Sequence, residues 1–131
     1  MIYIDSCLVI YAVERDDRIG ERARSALAEA EEPIATSPLA VLESLVGPMR
    51  DADADAQLRM WTAFDAFELL PVQPDAYLDA ALLRARYRGL RTADALHLGI
   101  ARQAGCTAFW TNDARLQTAS GGLAVDVIGR G

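Results

Sequence analysis

Short apolar runs bounded by polar or turn residues recur along the chain, and longer stretches with helical spacing separate them. "MIYID" reads as a short buried strand. "SCLVIYAVE" is apolar almost throughout, and its period leaves a helix and a second strand both open. Helical spacing predicts a helix from about Ile19 to Glu31, and "PIAT" a short strand after it. Ser37 offers an N-cap and Pro38 a first helical position, opening a helix to about Met49. "DADADAQLRMWTAFDAF" reads as the next helix, with Met60, Trp61, Phe64 and Phe67 on one face. "ELLPV" is a candidate strand, Asp75 to Tyr87 a helix, and Gly89 its stop. Thr92 can cap a helix to Ala104 that Gly105 ends; "TAFWT" and "LAVDVIG" are the last strands.

Strands alternating with helices imply βαβ units and a parallel sheet covered on both faces, an α/β fold. The length of 131 residues suits one domain, and no repeat, low-complexity tract or Gly/Ser linker divides it, so residues 1–131 are expected to form a single unit. The longest unbroken apolar run, Cys7 to Val13, is far short of the roughly 20 residues a membrane helix needs. The opening "MIYIDS" lacks a basic, cleavable leader, so the expectation is a cytoplasmic protein with no membrane partner.

Composition narrows the chemistry. All 13 cationic residues are Arg, which removes Schiff-base lysines, a P-loop lysine and the lysine of a phospho-receiver site. Cys7 and Cys106 form no C-x-x-C pair and have no neighbouring His to complete a zinc site; both are expected as small buried apolar residues. A net charge of -6 argues against broad adhesion to nucleic acid, yet leaves room for a nuclease whose metal ions and local Arg patch neutralise phosphate.

Four acids stand where a plain surface charge would not. Ligands in parallel sheets bind beyond the carboxyl ends of the strands. Asp5 ends the first strand and Asp113 follows the "TAFWT" strand, so both belong at one sheet edge. Glu43 borders the apolar stripe Leu42, Leu45, Val46 and Met49 of its helix. Asp94 lies in the first turn of a helix whose stripe is Ala93, Leu96, His97, Ile100 and Ala104, where the helix dipole favours a carboxylate. Converging carboxylates raise one another's pKa unless a cation holds them, and Mg²⁺ or Mn²⁺ is the economical tenant for oxygen ligands. Such ions can lower the pKa of water and stabilise in-line displacement at phosphorus. Taken singly, each acid has a bland reading: a turn, a cap, a dipole partner or an ion pair.

Together the motifs resemble the PIN-domain ribonucleases, and among them the VapC-type toxins of bacterial toxin-antitoxin pairs. "YIDSCLVIY" matches the opening strand ending in Asp5, "PLAVLESL" the helical Glu43, "LRTADALHLGIA" the helix start with Asp94, and "WTNDARL" the late T-x-D element with Asp113. The resemblance covers essentially the whole chain. It implies a three-layer α/β/α sandwich around a mostly parallel sheet. It also implies a Mg²⁺-dependent endoribonuclease, with Mn²⁺ able to substitute, that cuts RNA (tRNA among the candidates) by metal-activated water to leave 5′-phosphate and 3′-hydroxyl ends. Asp5, Glu43, Asp94 and Asp113 would be the acidic quartet, with Ser6, Thr111 and Asn112 orienting them. A homodimer and a cognate antitoxin reaching into the site are further implications.

Other classes stay in view. One is a catalytically weak RNA-binding or regulatory protein of the same fold, acting within a complex. A haloacid-dehalogenase-type phosphatase also places an Asp after its first strand, but expects another two residues on, where Cys7 stands. The basic cluster "LLRARYRGLR" is a candidate phosphate path through Arg84, Arg88 and Arg91, with Tyr77 on the face of Arg84 and Arg88; a solvated face is the equal alternative. His97, the lone histidine, is read as a buried, hydrogen-bonded residue in preference to a general base. The stripe Met60, Trp61, Phe64 and Phe67 reads first as core. With Leu8, Tyr11 and Val13 it also supplies apolar groups for a dimer or antitoxin groove.

Overall fold

The computed structural model describes residues 1–129. In chain order its elements are β1 (Ile2–Ile4), α1 (Ser6–Glu14), α2 (Arg18–Glu29), β2 (Ile34–Thr36), α3 (Pro38–Arg50), α4 (Ala54–Phe64), β3 (Glu68–Leu69), α5 (Pro74–Arg86), α6 (Thr92–Gln103), β4 (Ala108–Trp110), α7 (Ala114–Ala119) and β5 (Ala124–Val125). The five strands form one sheet in the order β3-β2-β1-β4-β5. Every pairing is parallel; Tyr3 lies opposite Ala35 on one side and Phe109 on the other. From β1 the chain adds β2 and β3 on one side, then returns to place β4 and β5 on the other. The reversal puts a crevice beyond the carboxyl ends of β1 and β4.

The period of 2 along β1 creates two cores, one per face. Ile2 and Ile4 pack with Leu8 and Val9 of α1, Leu45 of α3, and Met60 and Phe64 of α4. Tyr3 and Phe109 point the other way, among Ala76, Ala80 and Leu83 of α5, Leu98 and Ile100 of α6, and Leu116 of α7. The layers are therefore α/β/α, as the resemblance implies. Met60 is fully buried, so Met60→Ala should destabilise by about 2–5 kcal/mol. The α5 and α6 backbones meet closely at Gly99, where a Cβ would stand 2.5 Å from the Ala76 carbonyl oxygen. Gly105, at φ +71°, supplies the left-handed residue that ends α6.

Several expectations shift with tertiary context. "SCLVIYAVE" is helical, its N-cap being Asp5, whose carboxylate accepts from Ser6 N–H. The expected "ELLPV" and "LAVDVIG" strands shorten to two residues each: Pro71 has no N–H for a ladder, and Asp126 folds the chain by accepting from the Ile128 and Gly129 N–H groups. The fourth helix starts only at Ala54, because Ala52 turns the chain at φ +50° and Asp53 caps it. Arg91, not Thr92, holds the N-cap of α6. Helix α7 is an element the apolar pattern alone does not predict. Its signal was Asp113 as cap with Leu116 and Ala119 three residues apart, both buried.

The expected stripe of α3 is turned. Leu45 is buried, but Leu42, Val46 and Met49 are 61, 43 and 55% exposed. The inward face consists of Ala40, Ser44, Leu45 and Pro48, mostly small groups that let the helix approach its neighbours closely. On the neighbouring face, Leu8, Met60 and Phe64 are consumed by the core, whereas Trp61 is largely exposed. Cys106 is buried, and Cys7 only partly so.

Candidate metal centre

Two of the four acids, Asp5 and Asp113, are held by main-chain N–H groups at the sheet's carboxyl edge. Asp5 follows β1 directly, and its main-chain N–H continues the ladder to the Trp110 carbonyl, 3.0 Å away. Its carboxylate accepts from Ser6 N–H at 2.7 Å and from the Thr111 hydroxyl at 2.8 Å. The Thr111 hydroxyl also accepts from Asp113 N–H at 3.1 Å, which joins the ends of β1 and β4. Asp113 caps α7, accepting from Arg115 N–H at 2.9 Å. Cap and candidate site acid are thus the same residue, so the capping role of Asp113 does not exclude a chemical one. Asp94 lies in the first turn of α6, buried, with Arg91 Nε donating to it at 2.9 Å. Glu43 comes from the middle of α3, one turn beyond its N-terminal end, and leans over the same edge.

All four carboxylates line one cavity of about 370 Å³, with Ser6 and Asn112 on its wall and Arg91 and Arg115 at its rim. Thr111 sits fully buried beneath it. Of the arginines expected to meet RNA, only Arg91 reaches this cavity. Arg84 is turned back onto the Leu90 carbonyl at 3.1 Å. Arg88 lies past the end of α5, not on a helical face with Arg84 and Tyr77. With Arg86 it lines a neighbouring cavity of about 360 Å³ that shares Arg115 with the acid site. Arg115, outside the basic cluster that stands out in the sequence, bonds Asp113 through Nη2 at 2.8 Å and Nε at 3.2 Å.

Local physics differs from acid to acid. Burial pushes the Asp5 carboxyl above its ordinary range, and His97 and the Thr111 bond offset this only in part. Burial is the largest single influence on Glu43 and acts in the same direction, but the His97 hydrogen bond and the nearby charge of His97 and Arg91 together leave that carboxyl below its ordinary range. The Arg115 hydrogen bond holds Asp113 low as well. Cys7, at the cavity wall, is pushed up to about 12 by burial and by Asp5, so its thiol stays protonated and is no nucleophile at neutral pH.

His97 is fully buried and hydrogen-bonded, as its place in an apolar helix suggested. Its partners were not foreseen: Tyr3 Oη lies 2.6 Å from Nδ1, and Glu43 Oε1 bonds Nε2. One ligand atom each from Asp5, Glu43 and His97 fall within 4.8 Å of one another, with His97 Nε2 already bonded to Glu43. The carboxylate oxygens are the donors a hard divalent cation prefers, so the residues present fit such an ion.

Comparison with known proteins agrees with this geometry. The PIN domain family matches residues 2–122. A curated relative, Ribonuclease VapC23 of Mycobacterium tuberculosis, is 32% identical over 125 residues, covering 91% of this chain and 98% of its own. Among solved structures, a toxin-antitoxin complex from Klebsiella pneumoniae superposes with a TM-score of 0.80 at 20% identity, over 97% of this chain and 98% of that one. Mycobacterium tuberculosis VapC20, a sarcin-ricin loop cleaving toxin, gives 0.77 at 16% identity, over 91 and 95%.

Proposed function

This chain belongs to the PIN domain family, with a VapC-type ribonuclease as relative, and from that membership and its acid cavity we propose a metal-dependent endoribonuclease acting as the toxin of a toxin-antitoxin pair. The observation that carries the reading is the convergence of Asp5, Glu43, Asp94 and Asp113 on one cavity at the switch point of a parallel sheet. In this reading the whole chain works as a single PIN domain.

Asp5, Glu43, Asp94 and Asp113 would hold Mg²⁺, or Mn²⁺ in its place. Bound there, such an ion would supply positive charge to offset the phosphodiester and acidify a water for in-line hydrolysis, which would leave 5′-phosphate and 3′-hydroxyl ends. The chain's own part is positional. Ser6 and Thr111 orient Asp5 through the bonds given above. Asn112, on the cavity wall, is placed to meet substrate or solvent. Arg91 and Arg115 bring fixed positive charge to the rim, where an RNA phosphate must pass, and Arg88 extends that charge along the adjoining cavity. Arg84, tied to Leu90, serves the path less directly.

Partners follow from exposed apolar area. Leu42, Val46 and Met49 on α3 and Leu78 and Leu82 on α5 stand in solvent, a supply of surface suited to a second copy of the chain or to an antitoxin segment. No helix among the described residues is long and apolar enough to cross a membrane. The setting proposed for such a toxin is the cytoplasm.

The test is incubation of purified protein with total cellular RNA in Mg²⁺, in Mn²⁺ and in EDTA, beside Asp5→Asn. Discrete fragments that require metal and vanish in the variant are expected. Cleavage persisting in EDTA or in the variant would sink the four-acid reading, and tight RNA binding with no cleavage would favour a regulatory protein of the same fold.

A further inference from the structure

Glu43 differs from the other three acids in how it is held. Asp5 and Asp113 are helix caps bonded to main-chain N–H groups, and Asp94 is clamped by Arg91 three residues earlier. Glu43 sits mid-helix on a longer side chain, half-buried, with more torsions to fix. The hydrogen bond that holds it comes from His97 Nε2. His97 is one turn beyond Asp94 on α6, so a single buried helix carries one acid and the group that aims another.

The bond belongs to a longer chain. A carboxylate only accepts, so Nε2 carries the proton, and in the neutral ring Nδ1 accepts from the Tyr3 hydroxyl at 2.6 Å. Tyr3 Oη in turn lies 2.7 Å from Ser37 Oγ, which then donates. Ser37 is the N-cap residue of α3, yet its hydroxyl makes no cap bond. The Glu43 carboxylate is therefore tied back through α6 and β1 to the start of its own helix. The Tyr3 ring cannot swing away: it stacks on Phe109 with centroids 5.2 Å apart and meets the His97 ring edge-on at 5.6 Å. His97 Nε2 is also 3.8 Å from Asp5 Oδ1, so the imidazole lies beside two of the carboxylates while bonding only Glu43.

We propose that His97, locked by Tyr3 and Ser37, is a positioning residue that presents the Glu43 carboxylate to the divalent ion. Both ring nitrogens are occupied, and the ring lies wholly beneath the surface. It acts through Glu43 and not as a ligand or a base. The inference rests on the proposed metal site, and its test separates the two.

Mn²⁺ affinity is measured by electron paramagnetic resonance and calorimetry for wild type, His97→Leu, His97→Gln, Glu43→Gln and the double variant His97→Leu/Glu43→Gln, each checked for fold by circular dichroism. His97→Leu should weaken Mn²⁺ binding about 10- to 100-fold, the size typical of losing a partner that orients a ligand. His97→Gln, whose amide can still donate to Glu43, should recover most of that loss. In the Glu43→Gln background His97→Leu should add nothing, since its target is gone. Unchanged affinity in folded His97→Leu, or an equal loss in both backgrounds, would overturn the positioning role while leaving the metal site standing. A wild type that binds no Mn²⁺ overturns both. If His97→Leu does not fold, Tyr3→Phe answers in its place: it keeps the ring and removes the hydroxyl, and a roughly tenfold weaker Mn²⁺ site is expected, whereas wild-type affinity would defeat the proposal.

Discussion

Among the described residues, two cavities are each lined by four acids, and they differ in how those acids are held. The larger, about 610 Å³, lies where α1, α3 and α4 meet, and Glu14, Asp16, Asp51 and Asp53 line it with Arg59. All four of its acids are exposed, at helix ends or in turns. Asp53 does ordinary work there, capping α4 by accepting from Ala56 N–H at 3.0 Å. The smaller cavity, about 370 Å³, draws its acids from the end of β1, the middle of α3, the first turn of α6 and the cap of α7. There Asp5 and Asp94 are buried, and each carboxylate is aimed by a partner. Density of negative charge does not distinguish the two. Desolvation and fixed aim do, because a carboxylate loose in water gains little from an ion that must shed its own hydration shell.

The largest test of that contrast is activity. Asp94→Asn should lower RNA cleavage on the order of 10²–10³-fold or more, the scale of removing one aimed charge from a reaction centre. Glu14→Gln and Asp51→Asn, in the larger cavity, should stay within about twofold of wild type. Comparable losses from both sets would erase the distinction.

Metal linkage comes next. Mn²⁺ at about 100 times its Kd should stabilise the folded protein by roughly 2.7 kcal/mol, read as a rise in Tm that EDTA reverses. Asp94→Asn should lose the rise and Asp51→Asn keep it. A rise that survives in Asp94→Asn and disappears in Asp51→Asn would move the ion to the other cavity.

A smaller effect concerns the rim. Arg115→Ala should reduce the salt dependence of RNA binding by about one unit of slope, as expected when one phosphate contact is lost. Arg88→Ala should do the same if the path continues into the adjoining cavity, and Arg84→Ala should change the slope less because it lines neither cavity and its Nε is held by the Leu90 carbonyl. An unchanged slope in Arg115→Ala and Arg88→Ala together would remove phosphate contact from this side.

The smallest expected effect is on stability without metal. Asp5 has a raised carboxyl pKa through burial, so its ionised form penalises the folded state at neutral pH. Asp5→Asn should raise the metal-free Tm by a few degrees at pH 7. Below about pH 4, the ordinary aspartate value, the carboxyl is protonated in both folded and unfolded chains and the gain should vanish. The gain opens as pH rises through that value toward the raised one. A variant less stable than wild type at pH 7 would mean that the bonds from Ser6 and Thr111 outweigh desolvation.

Much of this was legible in the chain itself, and the exceptions have causes. Strand and helix alternation was readable because each element is short and bounded by a cap, a Pro or a Gly, as at Ser37, Pro38 and Gly105. "SCLVIYAVE" resisted because an unbroken apolar run carries no period, and only its packing against β1 and α4 makes it a helix. Helix α3 was misjudged in orientation because small inward residues, Ala40 and Ser44, give no hydrophobic signal as strong as the exposed Leu42 and Met49. The four acids stood out because each falls at an element boundary or beside an apolar face, where a charge needs a reason.

What the amino-acid sequence determined by itself is therefore the parallel α/β/α fold, the family and four candidate acids, all of which rest on local period, local caps and short motifs. What only the tertiary structure decided is who aims those acids. His97 and Glu43 are separated by 54 residues, Thr111 and Asp5 by 106, and Tyr3 and His97 by 94. Contacts of that reach leave no trace in spacing along the chain, because they exist only where the sheet's order brings β1, α3, α6 and β4 to one edge.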